Sequence, residues 1–210
     1  MRYEEFKLRL KKFIVFSLDD IKKIDPRFYR SRLNEWQDKK YIKKLRRGYY
    51  IFSDIDLDER KIFFIANRIY HPSYVSLESA LSYYNLIPEG VYMITSVSSA
   101  KTFGLETPIG KFSYRRIKPD LMFGYRLENF NDRNCKIAEM EKAALDYLYL
   151  NPAIIKEGDF AEWRFNSREF LARANMKKFR EYASRFKNKR FENRVKLFLN
   201  MIKKSNYAVS

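Results

Sequence analysis

Apolar residues recur at helical spacing at the head of the chain, where Tyr3, Phe6, Leu10 and Phe13 predict an amphipathic first helix. The run Phe13-Ile14-Val15-Phe16 follows as a short buried connector. Ser17 then stands before Leu18-Asp19-Asp20, an N-cap hydroxyl with an acidic side chain at N3, so a second helix starts there. It ends near Asp25, because Pro26 crowds the helical conformation of the residue before it. A third helix is predicted over residues 28–40, with Tyr29, Leu33 and Trp36 as its inward stripe. Residues 41–45, the turn Arg46-Arg47-Gly48 and the run Tyr49-Tyr50-Ile51-Phe52 predict a β-hairpin.

Past residue 53 the pattern changes. Residues 57–70 are helical in spacing, with Ile62, Ile65, Ala66 and Ile69 on one side, and His71-Pro72-Ser73 ends the run. Ser76 is expected to cap a short helix carrying Leu77, Ala80 and Leu81, which stops at Asn85-Leu86-Ile87-Pro88. Residues 93–97 read as a strand bounded by Gly90 and a Ser-rich turn. Residues 102–106 and 111–117 read as paired strands around Thr107-Pro108-Ile109-Gly110. A further strand over residues 121–127 is interrupted by Gly124, and residues 137–150 read as one strongly apolar helix. Beyond Asn151-Pro152, Ser167 is expected to cap a helix burying Phe170 and Leu171. Phe179, Tyr182 and Phe186 mark the next helix, and Phe191, Val195, Phe198, Leu199 and Ile202 the last.

Charge divides the chain in three. The net charge is +17, but residues 1–53 hold 16 Lys/Arg against 7 Asp/Glu, residues 54–153 hold 12 against 13, and residues 154–210 hold 15 against 6. The expected architecture is therefore α+β: an N-terminal winged helix-turn-helix (1–53), a small mixed α+β domain (54–153), and a basic helical C-terminal region (154–210) packing on the central domain. With 16 Tyr and 18 Phe the chain is well supplied for a core. Neither a secretory signal nor a run of about 18 apolar residues is present, and Cys135 stands alone, so a cytoplasmic protein is expected.

Two basic ends favour nucleic acid as a partner, since phosphate backbones bind such surfaces by counterion release. In the third helix Arg30, Ser31, Arg32, Asn34 and Gln37 are placed to meet the major groove, where Arg can bind guanine edges and Asn or Gln adenine. Lys43, Lys44, Arg46 and Arg47 on the hairpin suit phosphates or the minor groove. The competing description is a helical domain with a solvated basic face; the order of elements, the cap and the turn favour DNA. For the C-terminal region, Arg168, Arg173, Lys177, Lys178, Arg180, Lys187, Lys189 and Arg190 leave three readings open: phosphate contacts, an acidic partner, or a soluble helical layer.

Catalytic chemistry finds little support. Asp120 with Glu139, Glu141 and Lys142 contains the residue types of a metal-dependent nuclease, but the spacing is loose, and acidic residues at a helix start stabilise its dipole without a metal. Neither G-x-x-x-x-G-K-S/T nor G-x-G-x-x-G occurs. His71 before Pro72 reads as a helix-ending residue, Cys135 as a buried or loop thiol, and Glu78 as part of a first helical turn. No enzyme, metal or cofactor is expected.

Several central blocks occur in the order found in one family. Residues 72–81 (Pro-Ser-Tyr-Val-Ser-Leu-Glu-Ser-Ala-Leu), then Leu86-Ile87-Pro88-Glu89, Ile94-Thr95-Ser96-Val97, the run 107–114, Phe123-Gly124-Tyr125 and the run 137–146 resemble the AbiEi-type antitoxins of abortive-infection toxin–antitoxin systems. The hairpin Leu45-Arg46-Arg47-Gly48-Tyr49-Tyr50 fits that family's wing, and the resemblance extends over residues 17–150. It implies a transcriptional autoregulator whose N-terminal domain binds operator repeats in double-stranded DNA. It also implies that the rest of the chain counteracts a nucleotidyltransferase-like toxin from the same operon. Two alternatives stand beside it: a winged-helix regulator with no toxin partner, and a protein-binding module that sequesters a toxin directly.

Overall fold

The computed structural model describes residues 1–88, 93–130 and 133–207, so Glu89 and Gly90 lie outside the described residues. The chain opens with helix α1 (Tyr3–Leu10), a two-residue strand β1 (Phe16–Ser17), helices α2 (Leu18–Ile24) and α3 (Ser31–Asp38), and the hairpin β2 (Ile42–Arg46) and β3 (Tyr49–Phe52). β1 pairs antiparallel with β3, giving a three-stranded sheet in the order β1-β3-β2. Phe13 lies past the end of α1, and the expected connector contributes a strand instead, because Phe16 and Ser17 find backbone partners in Tyr50 and Tyr49. The start of α2 is a full capping box: the Ser17 hydroxyl accepts from the Asp20 amide at 3.1 Å, and the Asp20 carboxylate accepts from the Ser17 amide at 2.8 Å.

Phe6, Leu10, Phe16, Ile21, Phe28, Leu33, Trp36, Ile42, Tyr50 and Phe52 form a core of their own within this unit. Tyr29 is not part of it. The helix begins at Ser31, so Phe28 rather than Tyr29 takes the inward position, and Tyr29 is 75% exposed. The hairpin serves two cores at once. Tyr50 and Phe52 face the N-terminal helices, while Leu45 and Ile51 enter the core of the rest of the chain.

That larger body has a six-stranded sheet in the order β6-β7-β5-β4-β9-β8. Its strands are β4 (Ser73–Val75), β5 (Met93–Ser98), β6 (Phe103–Thr107), β7 (Gly110–Arg116), β8 (Tyr125–Phe130) and β9 (Arg133–Ala138). β5–β7 and β4–β9 are parallel pairs and the others antiparallel. Helix α4 (Glu59–Ile69) packs on β4, β5 and β9, and α5 (Leu77–Tyr83) packs on β5. Helix α6 (Met140–Leu150) carries α8 (Met176–Ser184) and α9 (Lys189–Tyr207), while α7 (Ser167–Arg173) packs on α9. Phe170, Phe179, Phe191 and Phe198 share one core with the central strands, so residues 154–207 cover the central body rather than standing apart.

Three expectations need correction here. Ile137 and Ala138 close strand β9, and the helix starts only at Met140, after Glu139. The strand expected over residues 121–127 begins at Tyr125, because Pro119–Leu121 is a short 3-10 turn. Ser76 occupies the N-cap of α5 without capping it; its hydroxyl donates to Asp146 at 2.9 Å. A smaller shift concerns α7, whose cap is Asn166, accepting from the Glu169 amide, one residue before the expected Ser167. Among the described residues no helix is long and apolar enough to cross a membrane.

Gly124 is a fixed point of this body. Its φ is +68°, and a Cβ there would lie 2.8 Å from the Tyr182 ring and 3.1 Å from the Lys142 stem. Gly124→Ala is expected to cost about 1–3 kcal/mol from combined backbone strain and crowding. Urea unfolding monitored by fluorescence measures it; a midpoint equal to that of the wild type would show that the ring and stem yield freely.

Candidate nucleic-acid interface

Six residues separate α2 from α3, and tight turns through Pro26 and Arg27 lead into the third helix. Leu33 and Trp36 hold its inner face, which leaves Arg30, Ser31 and Asn34 exposed on the outside, with Arg32 half-buried. The hairpin turn is Arg47-Gly48, between the paired residues Arg46 and Tyr49, and Gly48 takes φ +85°, which glycine tolerates at least cost. Its carbonyl accepts from the Leu18 amide at 3.3 Å, tying the turn to the start of α2. Arg30 and Arg47 consequently line one hollow together with Leu18, Leu33, Gly48 and Tyr50. Lys44 is exposed and Lys43 half-buried on β2.

These cations differ in kind from their neighbours. Lys7 is paired with Asp54, Arg9 with Glu5 and Lys39 with Glu35. Among the described residues, no carboxylate lies within ion-pair distance of Arg30, Lys43, Lys44 or Arg47. An unpaired guanidinium or ammonium in water carries little desolvation cost into a phosphate contact and breaks no internal bond to make it. Of the two acidic residues on the same helix, Glu35 pairs with Lys39, whose ammonium holds the carboxyl below its usual range, and Asp38 is exposed at the C-terminal end.

Two expected contacts are employed elsewhere. Arg46 turns inward: its guanidinium donates to the Ile69 carbonyl at 2.7 Å and lies 5.2 Å from the Tyr70 ring and 4.9 Å from the Phe103 ring. It joins the hairpin to α4 and the six-stranded sheet, and a candidate interface must do without it. Gln37 donates back to the Leu33 carbonyl at 2.8 Å, so part of its amide is committed within the helix. In the opposite direction, the sequence pattern did not single out Arg27, and it set Tyr29 on the inward stripe, yet both are exposed beside Arg30. The basic turn residue after Pro26 was the available signal for Arg27; counting the stripe from Tyr29 instead of Phe28 hid the exposure of Tyr29.

Among the described residues, Arg46, Arg68 and Arg133 bind the N-terminal unit to the rest. Arg68 on α4 meets Asp20 at 3.1 Å, and Arg133 on β9 donates to the Lys12 carbonyl, its guanidinium lying 5.5 Å from both the Phe13 and Phe64 rings. Burial pushes the Asp20 carboxyl up, but hydrogen bonds from the Ser17 hydroxyl and amide and from Arg68 outweigh it and leave the pKa below the usual value. A carboxylate depressed in the folded state adds stability above its unfolded pKa, near 3.9, and loses it as pH falls through the folded value. Asp20→Asn should therefore be less stable than the wild type at neutral pH, with the gap closing below about pH 4. A gap that stays constant between pH 7 and acid unfolding would remove Asp20 from this role.

Of the four residues weighed for catalysis, Lys142, Glu139 and Glu141 make ion pairs or hydrogen bonds within the fold. Lys142 and Asp146 are fully buried and paired; the Lys142 ammonium also donates to the Tyr74 hydroxyl at 2.9 Å, and Tyr74 donates to Asp146 at 2.8 Å. Burial lowers the Lys142 pKa. Glu141 accepts from the Asn175 amide at 2.7 Å, and Lys178 lies 3.3 Å from both Glu139 and Glu141. Asp120 is exposed and stands on the turn before β8. Burial pushes the Cys135 thiol up to about 11. Among the described residues, no group of three or more His, Cys, Asp or Glu side chains is placed to hold a metal.

The C-terminal basic residues divide similarly. Arg173 pairs with Glu169, Lys178 with Glu139 and Glu141, and Lys204 with Glu157. Arg194 donates to the Leu148 carbonyl at 2.6 Å, placing a cation at the negative end of α6. Arg168, Lys177, Arg180, Lys187, Lys189 and Arg190 remain exposed to solvent. Set against known proteins, the chain matches no family and no curated relative.

Proposed function

We propose that the N-terminal unit is a winged helix-turn-helix and that the protein is a DNA-binding transcriptional regulator. The observation that carries this reading is one arrangement. Helix, strand, helix, helix and hairpin follow in that order, the first strand pairs with the third, and unpaired Arg30 and Arg47 flank one hollow between α3 and the hairpin turn. In a winged domain α3 enters the major groove and the hairpin follows the adjacent backbone. Arg30 and Asn34 then read base edges, Ser31 and Arg32 support them, and Lys43, Lys44 and Arg47 hold phosphates. Arg46 belongs to the scaffold. Footprinting on DNA upstream of the protein's own operon tests the reading: a protected, repeated site supports it, and uniform weak protection counts against it.

The antitoxin role rests on the resemblance of the central blocks to AbiEi-type proteins. On that reading the body formed by residues 54–207 counteracts a nucleotidyltransferase-like toxin encoded beside it. Co-expression of the full chain with the neighbouring toxin gene is the test. Restored growth supports the role, and growth arrest despite a folded, expressed chain leaves a regulator without an antitoxin function.

A further inference from the structure

The two margins of the six-stranded sheet are treated differently. At one, β6 lies against β2, and Arg46 spans the seam with its guanidinium over Phe103. At the other, β8 is the terminal strand: one backbone edge pairs with β9, and the second has no strand partner among the described residues. An open edge six residues long presents a row of amides and carbonyls, a template for another strand. In its middle Leu127 is 58% exposed, while Arg126 and Glu128 form an ion pair on the opposite face of the strand. The Tyr84 ring lies 5.5 Å from the Arg126 guanidinium and helps hold it there.

We propose that β8 is a homotypic interface, through which two copies of this chain join their sheets antiparallel about a two-fold axis at Leu127. The sequence Tyr125-Arg126-Leu127-Glu128-Asn129 is self-complementary in this register. Arg126 of one protomer faces Glu128 of the partner subunit, and its Glu128 faces Arg126 of the partner subunit. The two internal ion pairs thus merge into a square of alternating charge. Leu127 meets its own symmetry mate, and Tyr125 stands opposite Asn129 of the partner subunit. A register centred on Arg126 or on Glu128 would set like charges opposite each other, which opposes pairing. The same charges disfavour unrelated strands, so the edge is guarded against general aggregation while remaining open to its own copy. A two-fold contact uses one patch on both subunits, as a single strand edge can. Six residues of edge make a small interface, so the dimer is expected to be weak and concentration-dependent. It requires no DNA.

Sedimentation velocity of the full chain, without DNA and over a wide concentration range, is the test. The wild type should pass from monomer to dimer as concentration rises. Glu128→Arg and Arg126→Glu should each weaken association by about tenfold or more, and the combined swap R126E with E128R should restore it. Leu127→Glu changes a side chain exposed in the monomer and should also give a monomer, with an unchanged melting temperature. A wild type that remains monomeric to its solubility limit overturns the proposal. So does a dimer indifferent to both single reversals.

Discussion

Replacing Asp146 with alanine is expected to destabilise the folded chain by about 3–5 kcal/mol, because it leaves a buried ammonium without its counter-charge. Asp146 accepts from Lys142, Tyr74 and Ser76, all within the interior between α6 and β4. The Lys142 ammonium has aromatic company, lying 5.4, 5.0 and 5.3 Å from the rings of Tyr74, Phe123 and Phe186. Those contacts are weak beside the loss of a carboxylate in a dry site. The loss belongs to the broken pair rather than to the polar cluster as such. Lys142→Met with Asp146→Leu should recover part of the stability, and adding Tyr74→Phe and Ser76→Ala should recover more, since two buried hydroxyls would otherwise lack an acceptor. Urea unfolding of the three variants beside the wild type measures the series. An Asp146→Ala protein within about 1 kcal/mol of the wild type would show that water or a rearranged side chain reaches the site.

The second large effect separates neighbouring arginines. Arg30→Ala with Arg47→Ala is expected to weaken binding to a preferred DNA site by about 100-fold while leaving the melting temperature in place. Arg46→Ala should do the reverse, lowering stability through the lost Ile69 hydrogen bond and the exposed Tyr70 and Phe103 rings. Its DNA affinity, measured well below its unfolding temperature, should change little. Equal losses of affinity for Arg46 and Arg47 would contradict the division between scaffold and interface.

Much of the order of elements is readable from local pattern, because each such element carries its own instructions. The Ser17–Asp20 box starts α2, Gly48 permits the hairpin turn, and Thr107 and Gly110 pair across a turn through Pro108 and Ile109. The failures share a different cause. β9 ends in Ile137 and Ala138, one residue before the buried helix α6, and a buried strand running into a buried helix presents one apolar run with no change of period. β1 and β4 are only two and three residues long, and their partners lie far along the chain. Site chemistry follows the same rule. Exposed Arg30, Asn34, Lys44 and Arg47 lie where spacing places them. Arg46 is redirected by Ile69, Tyr70 and Phe103, and Ser76 by Asp146, seventy residues away in sequence. No window around Arg46 distinguishes it from Arg47; only the packing of the hairpin between two cores does.

The most direct test of DNA binding through α3 and the hairpin turn is the salt dependence of the binding constant for the wild type, Arg47→Ala and Lys44→Ala. A phosphate contact contributes about one unit to the slope of log affinity against log salt. Each substitution should therefore lower the slope by about one, and Arg46→Ala should leave it unchanged. Identical slopes for all four proteins would place the DNA-binding surface elsewhere on the molecule.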